Sequence, residues 1–161
     1  MKETDLYKKF KEKLPASLHC TRMENDCSDG MPDVFIRKNT GQSFWIENKV
    51  CGPKEVLKWQ PTQVPWMMKH ALNYKGQSFT LIGDRKTCKI FVCIDMSRLT
   101  KEQYKKLIFE KIKLNELLIY IGEDNYLTST CMKTIIKWMA DRLDTLLVSK
   151  QVQAPNQCNP Q

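Results

Sequence analysis

Two acidic residues and a lysine occur in the sequence at a spacing that could hold a metal ion. Asp33 precedes one apolar run, and Glu47 and Lys49 lie in the next, which is rich in aromatic and β-branched residues and predicts a strand. Side chains on a strand alternate between faces, so Glu47 and Lys49 point the same way. If the hairpin is centred on Thr40, Asp33 lies opposite Glu47, with Cβ atoms about 5 Å apart. Carboxylates so close repel each other unless a cation lies between them, and Mg²⁺, with Mn²⁺ as a substitute, fits best.

The connection between the two runs supports this pairing. It is polar, and Gly41 is available for a backbone conformation with positive φ. The same centring predicts that Lys38 faces Gln42 and that Phe35 faces Trp45. The alternative interpretation of Glu47 and Lys49 is a surface ion pair on an edge strand, which would contribute little.

Length and composition limit the classes of protein. The 161 residues predict one domain, and 42% hydrophobic residues suffice for a core. No run approaches the roughly 18 apolar residues of a membrane span, and the polar N-terminus lacks a signal-peptide pattern. We therefore expect a cytoplasmic protein that is not secreted and does not enter a membrane. The net charge of +8 favours a polyanionic partner, most commonly nucleic acid.

The cysteines and histidines argue against a disulfide scaffold and against zinc. The seven cysteines are odd in number, form no C-x-x-C pair and are few for a disulfide scaffold of this length. Only two histidines accompany them. We expect reduced thiols, several of them buried as small hydrophobic residues.

Apolar spacing and turn residues give the order helix, three strands, helix, two strands. This order predicts an α/β core with a mixed central β-sheet flanked by helices. The predicted helices are 3–14 and 62–74, and the predicted strands are 18–24, the two arms of the 33–49 hairpin, 79–83 and 89–94.

Three segments of different character follow from this pattern. Residues 1–98 form the predicted core, residues 99–148 a mainly helical C-terminal extension packed on it, and residues 149–161 a disordered tail. The extension ends in an apolar stripe that either packs on the core or forms a dimer contact. Its members are Met132, Ile135, Ile136, Met139, Leu143, Leu146 and Leu147.

Residues 21–68 resemble the PD-(D/E)XK nuclease superfamily, and within it the phage-type endonucleases of the VRR-NUC and Holliday junction resolvase groups. The matching text is Arg22-Met23-Glu24-Asn25, Gly30-Met31-Pro32-Asp33-Val34, Phe44-Trp45-Ile46-Glu47-Asn48-Lys49 and Leu57-Lys58-Trp59-Gln60-Pro61-Thr62-Gln63-Val64-Pro65-Trp66. The order of these pieces is more specific than any one of them. The resemblance implies a restriction-endonuclease-like core and a nuclease dependent on Mg²⁺.

The resemblance also implies individual roles. Asp33, Glu47 and the backbone carbonyl of Asn48 would hold the metal, and Lys49 would orient the attacking water. Gln63, at the start of the second helix, would meet a phosphate or that water. Asn48 departs from the family pattern, which has an apolar residue there, and a buried amide needs hydrogen-bond partners.

Some roles stay open between candidates. Glu24 and Glu3 compete for a third acidic position, with Glu24 favoured by the Arg-x-Glu-Asn phrase. His70 follows Gln63 along the helix, and a histidine satisfied by its surroundings or facing solvent is a better interpretation than a metal ligand.

Basic residues surround the proposed site. Arg22, Lys54 and Lys58 are candidates for contacts with DNA phosphates, which position a duplex without reading its bases. No base-reading module such as a zinc finger is visible, so recognition of DNA shape is favoured.

These observations predict a metal-dependent DNA endonuclease that acts on branched DNA, such as a Holliday junction, during processing of a phage genome. Resolvases of this superfamily act as homodimers, so a homodimer is expected. Two alternatives remain: a nuclease on linear or nicked DNA without junction preference, and a non-catalytic basic DNA-binding protein on a nuclease fold.

Overall fold

The structure, a computed structural model, describes residues 1–23 and 29–152, and for residues 144–152 it describes the backbone alone. Within these residues the chain forms five α-helices and one six-stranded sheet. The helices are α1 (Glu3–Glu12), α2 (Gln63–Tyr74), α3 (Lys101–Phe109), α4 (Leu114–Ile121) and α5 (Met132–Val152). The strands are β1 (Leu18–Arg22), β2 (Val34–Lys38), β3 (Ser43–Val50), β4 (Ser78–Gly83), β5 (Phe91–Asp95) and β6 (Tyr126–Ser129).

The sheet is mixed, as the sequence predicts. Its strands lie side by side in chain order, and every neighbouring pair is antiparallel except β3 and β4. Parallel strands need a crossover, and α2 supplies it here. The crossover lays α2 across the face of the sheet that carries Glu47 and Lys49.

Helices cover both faces of the sheet, so the core has two halves. On one face Phe44, Ile46 and Phe79 pack against α1 and α5. On the other face Ile82 and Ile94 pack against α2, α3 and α4. Strand side chains alternate between these halves, as they do in any sheet covered on both sides. The α/β architecture with a mixed sheet flanked by helices is therefore confirmed.

The predicted hairpin register is confirmed. Phe35 pairs with Trp45, and the N–H of Lys38 donates to the carbonyl of Gln42 at 2.7 Å. Gly41 adopts φ +92°, a conformation that favours glycine at this turn. The hydrophobic pattern and the turn therefore specify the same register.

The C-terminal part contains a strand that the sequence analysis missed. Residues 99–148 are mainly helical, but β6 pairs with β5 and extends the central sheet. The four residues of β6 are too few to show an alternating pattern, and their pairing partner is more than 30 positions away in the chain. Smaller differences concern strand ends: β1 stops at Arg22 rather than residue 24, and β5 covers Phe91–Asp95 rather than 89–94.

The apolar stripe of α5 packs on the core. Met132, Ile135, Ile136, Met139 and Leu143 are buried beside Leu6 and Phe10 of α1. The packing interpretation is confirmed for these five residues, and a dimer contact through them is wrong because they have no surface to offer. The side chains of Leu146 and Leu147 lie outside the described part of the chain.

The predicted tail falls mostly outside the described residues. α5 continues to Val152 and so includes residues 149–152, which the sequence analysis assigns to the disordered tail. The helical backbone thus extends beyond the last residue of the apolar stripe. Among the described helices, none has both the length and the apolar composition needed to cross a membrane.

Candidate metal centre

The β2–β3 register positions the acidic pair. Val34 pairs with Ile46, so one further step in the same register places Asp33 opposite Glu47. The strand path continues through Asp33, because its carbonyl accepts a hydrogen bond from the N–H of Met23 at 2.8 Å. The structure therefore brings together the two carboxylates that the sequence predicts.

Glu47 lies buried in the middle of the sheet, with 1% of its surface exposed. Its Oε1 atom accepts hydrogen bonds from Lys49 Nζ at 2.9 Å and from Gln63 Nε2 at 2.7 Å. Its Oε2 atom is buried and has no hydrogen-bond partner among the described residues. The surface ion pair on an edge strand is therefore wrong, since β3 lies between β2 and β4 and both side chains are buried.

The first residue of α2 holds Glu47 from above the sheet. Gln63 is itself buried, and its Oε1 accepts from the backbone N–H of Gln60 at 2.9 Å. This bond fixes the orientation of the amide, so that its NH₂ group faces the carboxylate. Gln63 thus positions Glu47 through a donor whose direction is set by the backbone.

Gly30 brings the loop before β2 close to the start of α2. It has φ +87°, and a Cβ atom built on it would lie 2.1 Å from the carbonyl oxygen of Thr62. Only glycine permits this contact, because both the conformation and the space exclude a side chain. The glycine three residues before Asp33 therefore brings Asp33 and Gln63 to the same site.

Burial raises the pKa of both carboxyls. The pKa of Glu47 rises from 4.5 to about 7, mainly by desolvation, while the ammonium of Lys49 opposes the shift and the charge of Asp33 adds to it. The pKa of Asp33 is also raised by burial, against the lowering effects of Lys49 and Arg22. The carboxyl of Glu47 therefore gains or loses its proton near neutral pH.

The side chain and the backbone of Asn48 point in different directions. Its side chain points to the α1 side of the sheet, where Oδ1 is buried without a hydrogen-bond partner among the described residues. The N–H of Trp45 donates to Gln77 on the β4 side, so by alternation the carbonyl of Asn48 faces β2. The residue across the register is Pro32, which has no N–H to donate. The proline before Asp33 therefore cannot donate a ladder hydrogen bond to this carbonyl.

These groups fit a hard divalent cation. The ligand atoms on offer are carboxylate oxygens of Asp33 and Glu47 and the carbonyl oxygen of Asn48, the ligand type that Mg²⁺ and Mn²⁺ prefer. The unpartnered Oε2 of Glu47 is the observation that supports the fit, because a buried carboxylate oxygen without a donor needs a positive partner. No group of three or more His, Cys, Asp or Glu side chains is assembled for a metal within residues 1–23 and 29–152.

The third acidic position is undecided. Glu24 lies outside the described residues. Glu3, at the start of α1, raises the pKa of Glu47 by its charge and lines a cleft beside Lys49. The structure thus places Glu3 near the acidic pair and leaves the preference for Glu24 untested.

This cleft, of about 570 Å³, is lined by Lys49, which contacts Glu47, and is basic on several sides. Its lining includes Lys49, Lys58, Arg85 and the acidic residues Glu3 and Glu55. The guanidinium of Arg22 lies 5.3 Å from the ring of Tyr7 in α1 and is near enough to Asp33 to lower its pKa. Lys54 is exposed and is not among the lining residues of this cleft. Of the three candidate DNA contacts, Lys58 lines this cleft and Arg22 influences the pKa of Asp33.

Two contributors to the site carry no signal in the motif. Arg85 donates to the carbonyl of Val50 at 3.1 Å and to Glu55 at 3.2 Å, and so connects the end of β3 to the cleft wall. Thr80 pairs with Glu47 across the parallel strands, and its buried Oγ1 has no partner in the described part of the chain. A hydroxyl residue within the apolar run of β4 is the one sequence sign that could have indicated it.

His70 lies on α2 about two helical turns after Gln63. Its ring stacks on Trp66 with centroids 4.8 Å apart, and burial lowers its pKa. This packing gives the histidine a structural partner, as the sequence analysis favours.

Comparison with known proteins finds similarity among solved structures alone. No protein-family model matches the chain, and no curated protein matches it. The structure is similar to that of Hjc, a Holliday junction resolvase from the archaeal hyperthermophile Archaeoglobus fulgidus, with a TM-score of 0.42 and 14% sequence identity. The similarity covers 71% of this chain and 95% of that chain.

Proposed function

We propose that this protein is a metal-dependent endonuclease that hydrolyses phosphodiester bonds of DNA, with Mg²⁺ as its metal. The observation that carries the proposal is the buried carboxylate of Glu47, opposite Asp33 and with one oxygen left without a donor. A stability role does not explain this arrangement, because a buried carboxyl with a raised pKa opposes folding at neutral pH. The basic chain and the order of the motifs favour DNA as the substrate.

The side chains divide the work at the site. Asp33 and Glu47, with the carbonyl of Asn48, would hold the ion, which when bound supplies positive charge to the scissile phosphate. Lys49 carries a charge that its 2.9 Å contact with Glu47 keeps on the same face. That charge can orient the attacking water and offset negative charge that develops on the phosphate. Gln63 fixes the rotamer of Glu47, so that its second oxygen keeps one direction.

The preference for branched DNA follows from the sequence resemblance to resolvases. Arg22 is close enough to lower the pKa of Asp33, and Lys58 lines the cleft beside Lys49, so both can contact backbone phosphates near the acidic pair. A resolvase cuts paired strands, so we propose that the active form is a homodimer. Phage origin is proposed on the style of the motifs alone.

The test is cleavage of a labelled four-way junction beside linear duplex and single strand of the same sequence. Each substrate is incubated with Mg²⁺, Mn²⁺ or EDTA, using the wild-type chain, Asp33→Ala and the control Glu102→Gln. Glu102 is an exposed residue of α3 and serves as the matched carboxylate outside the site. We expect paired nicks near the branch point with either metal, none with EDTA or Asp33→Ala, and full activity of Glu102→Gln.

The other outcomes are equally informative. Equal cutting of all three substrates would retain the nuclease and remove the junction preference. Tight DNA binding without cleavage under any metal condition would reject the enzyme and favour the non-catalytic DNA-binding alternative. Activity of Asp33→Ala equal to wild type would show that the catalytic centre lies elsewhere.

A further inference from the structure

A row of aromatic rings begins beside the acidic pair and runs along α2. Its members, here called the aromatic row, are Phe35, Trp45, Trp66, His70 and Tyr74. Consecutive ring centroids lie 4.8, 5.6, 4.8 and 6.2 Å apart. The first four rings are partly exposed, and Tyr74 has 70% of its surface exposed.

Two periodicities hold this row next to the metal centre. Phe35 lies two positions after Asp33, and Trp45 lies two positions before Glu47, so each ring shares the strand face of its carboxylate. On α2, Gln63 contacts Glu47 and Trp66, one turn later, contacts Trp45. The row therefore starts about 7 Å from the acidic pair, the rise of two strand residues, and leads away from it.

The length of the row suits a short piece of single strand. From Trp66 to Tyr74 the helix rises about 12 Å, at about 1.5 Å per residue. This equals roughly three or four nucleotides at a rise of about 3.4 Å. Aromatic side chains in such rows stack on nucleobases of any sequence, because every base has a π face.

The charges around the row favour a polyanion. Residues 34–46 and α2 contain no acidic residue. Exposed Arg37 lies two positions after Phe35 on the same strand face, and exposed Lys69 and Lys75 lie on and after α2. His70 adds a neutral ring, since burial lowers its pKa. A second copy of the chain would bring the same basic border against itself, which disfavours a homodimer contact here.

We propose that the aromatic row binds unpaired nucleobases of the strand whose phosphate lies at the acidic pair. The substrate class is then DNA with a short single-stranded segment beside the cleavage point, as in frayed, flapped or branched DNA, rather than a continuous duplex. This inference rests on the proposed nuclease function for the position of the phosphate, while base stacking itself does not require cleavage.

The test measures binding in EDTA, where no cleavage is expected. Three labelled probes are compared by fluorescence anisotropy: a dT₁₂ oligonucleotide, a blunt duplex, and the same duplex with a five-nucleotide dT overhang. The variants are Tyr74→Ala and Trp66→Leu, and the control is Phe109→Ala, an exposed aromatic of α3 with 82% of its surface exposed. Intrinsic tryptophan fluorescence is recorded in the same titrations.

We expect Tyr74→Ala to weaken binding of dT₁₂ and of the overhang probe by about tenfold, with little change on the blunt duplex. Trp66→Leu should have at least as large an effect and should remove most of the tryptophan quenching on dT₁₂. Phe109→Ala should bind all three probes as the wild type does. Should Trp66→Leu fail to fold, Tyr74→Ala still decides the question, because its side chain is mostly in solvent.

Equal losses on duplex and overhang probes, or no loss with Tyr74→Ala, would overturn the inference. A change of oligomeric state in Tyr74→Ala without a selective loss on unpaired DNA would also overturn it and assign the row to a second copy. Selective loss on unpaired DNA by a protein that cuts no substrate with Mg²⁺ would keep the stacking role and reject the nuclease function. The two proposals can thus fail separately.

Discussion

Two buried carboxylates in this protein are held in different ways. Asp95, fully buried at the end of β5, accepts from Arg142 Nε at 2.6 Å through one oxygen and from the N–H of Ser97 at 3.1 Å through the other. Glu47 is buried to nearly the same degree, yet both of its donors reach one oxygen and the other has none. Both oxygens of Asp95 therefore have hydrogen-bond donors without a ligand, whereas one oxygen of Glu47 has none among the described residues.

The difference separates a carboxylate whose hydrogen bonds are satisfied within the fold from one whose second oxygen has no donor in the described part of the chain. Arg142 also stacks over the ring of Trp138 and donates to the carbonyl of Asp124, so the Asp95 network connects β5 to α5 and to the residues before β6. A network satisfied in this way stabilises one arrangement of its elements. A carboxylate left half satisfied costs free energy in the free protein, and a cation can recover it.

The largest expected effect is on cleavage. Glu47→Gln keeps the shape of the side chain and an acceptor for Lys49 and Gln63, but it removes the charge that would hold the metal. We expect cleavage to fall by about 10³-fold or more, while DNA affinity measured in EDTA stays within about threefold of wild type. Steady-state cleavage and anisotropy on one four-way junction check both parts.

A fully active Glu47→Gln enzyme would show that Glu47 resembles Asp95 after all. The properly folded state of the variant is confirmed by circular dichroism before activity is compared.

The next effect concerns stability. Asp95→Asn leaves Arg142 without its counter-charge in a mostly buried site, and we expect a loss of about 3 to 5 kcal/mol in the free energy of unfolding. Urea denaturation measures it at pH 7 in EDTA. Glu47→Gln in the same experiment should be much less destabilised, and an equal loss in the two variants would contradict the distinction drawn between the two carboxylates.

A third prediction uses the pH dependence of stability without metal. The pKa of Glu47 is raised from 4.5 to about 7, so the folded state holds a proton that the unfolded state has released. The neutral form stabilises the fold fully below about pH 4.5, and this contribution is lost as pH rises through 7. At about 1.4 kcal/mol per pKa unit, the loss approaches about 3 kcal/mol.

Denaturation of wild type and Glu47→Gln in EDTA, from pH 4.5 to 8, isolates the contribution of Glu47. We expect the difference in stability to move in favour of Glu47→Gln as pH rises. A difference that is constant with pH would mean that Glu47 titrates alike in the folded and unfolded states.

The smallest effect is on metal affinity. Mn²⁺ must displace the proton of Glu47, so its apparent affinity should fall by up to about tenfold for each pH unit below 7 and level off above about pH 8. Isothermal titration calorimetry in buffers of different ionisation enthalpy measures both affinity and protons released. If Mn²⁺ binding released no proton at pH 6, Glu47 would not be a ligand of the metal.

The sequence predicts which residues lie beside Glu47 well, because the determinants of their positions are local. The hairpin register depends on Gly41 and on the alternation of apolar residues, and from that register Asp33 lies opposite Glu47. Gln63 is predictable because Pro61 and Thr62 indicate where α2 begins. Each of these inferences uses residues within about 30 positions of one another.

The remaining features depend on contacts between distant parts of the chain. Arg142 meets Asp95 across 47 positions, and no periodic pattern connects them. β6 forms a strand because its backbone pairs with the free edge of β5. The unpartnered oxygen of Glu47 could not be predicted from the sequence either, because it depends on which carboxylate oxygen accepts the hydrogen bonds from Lys49 and Gln63.

The contact of Gly30 with Thr62 determines how much variation this protein can tolerate. A single added methyl group would meet a backbone carbonyl and push the loop that carries Asp33 away from the helix that carries Gln63. We therefore expect the protein to tolerate substitutions at Gly30 as poorly as substitutions at Asp33, both among natural variants and in mutational scans. Gly30, which has no functional group, would thus be conserved in evolution as strictly as Asp33, three positions later.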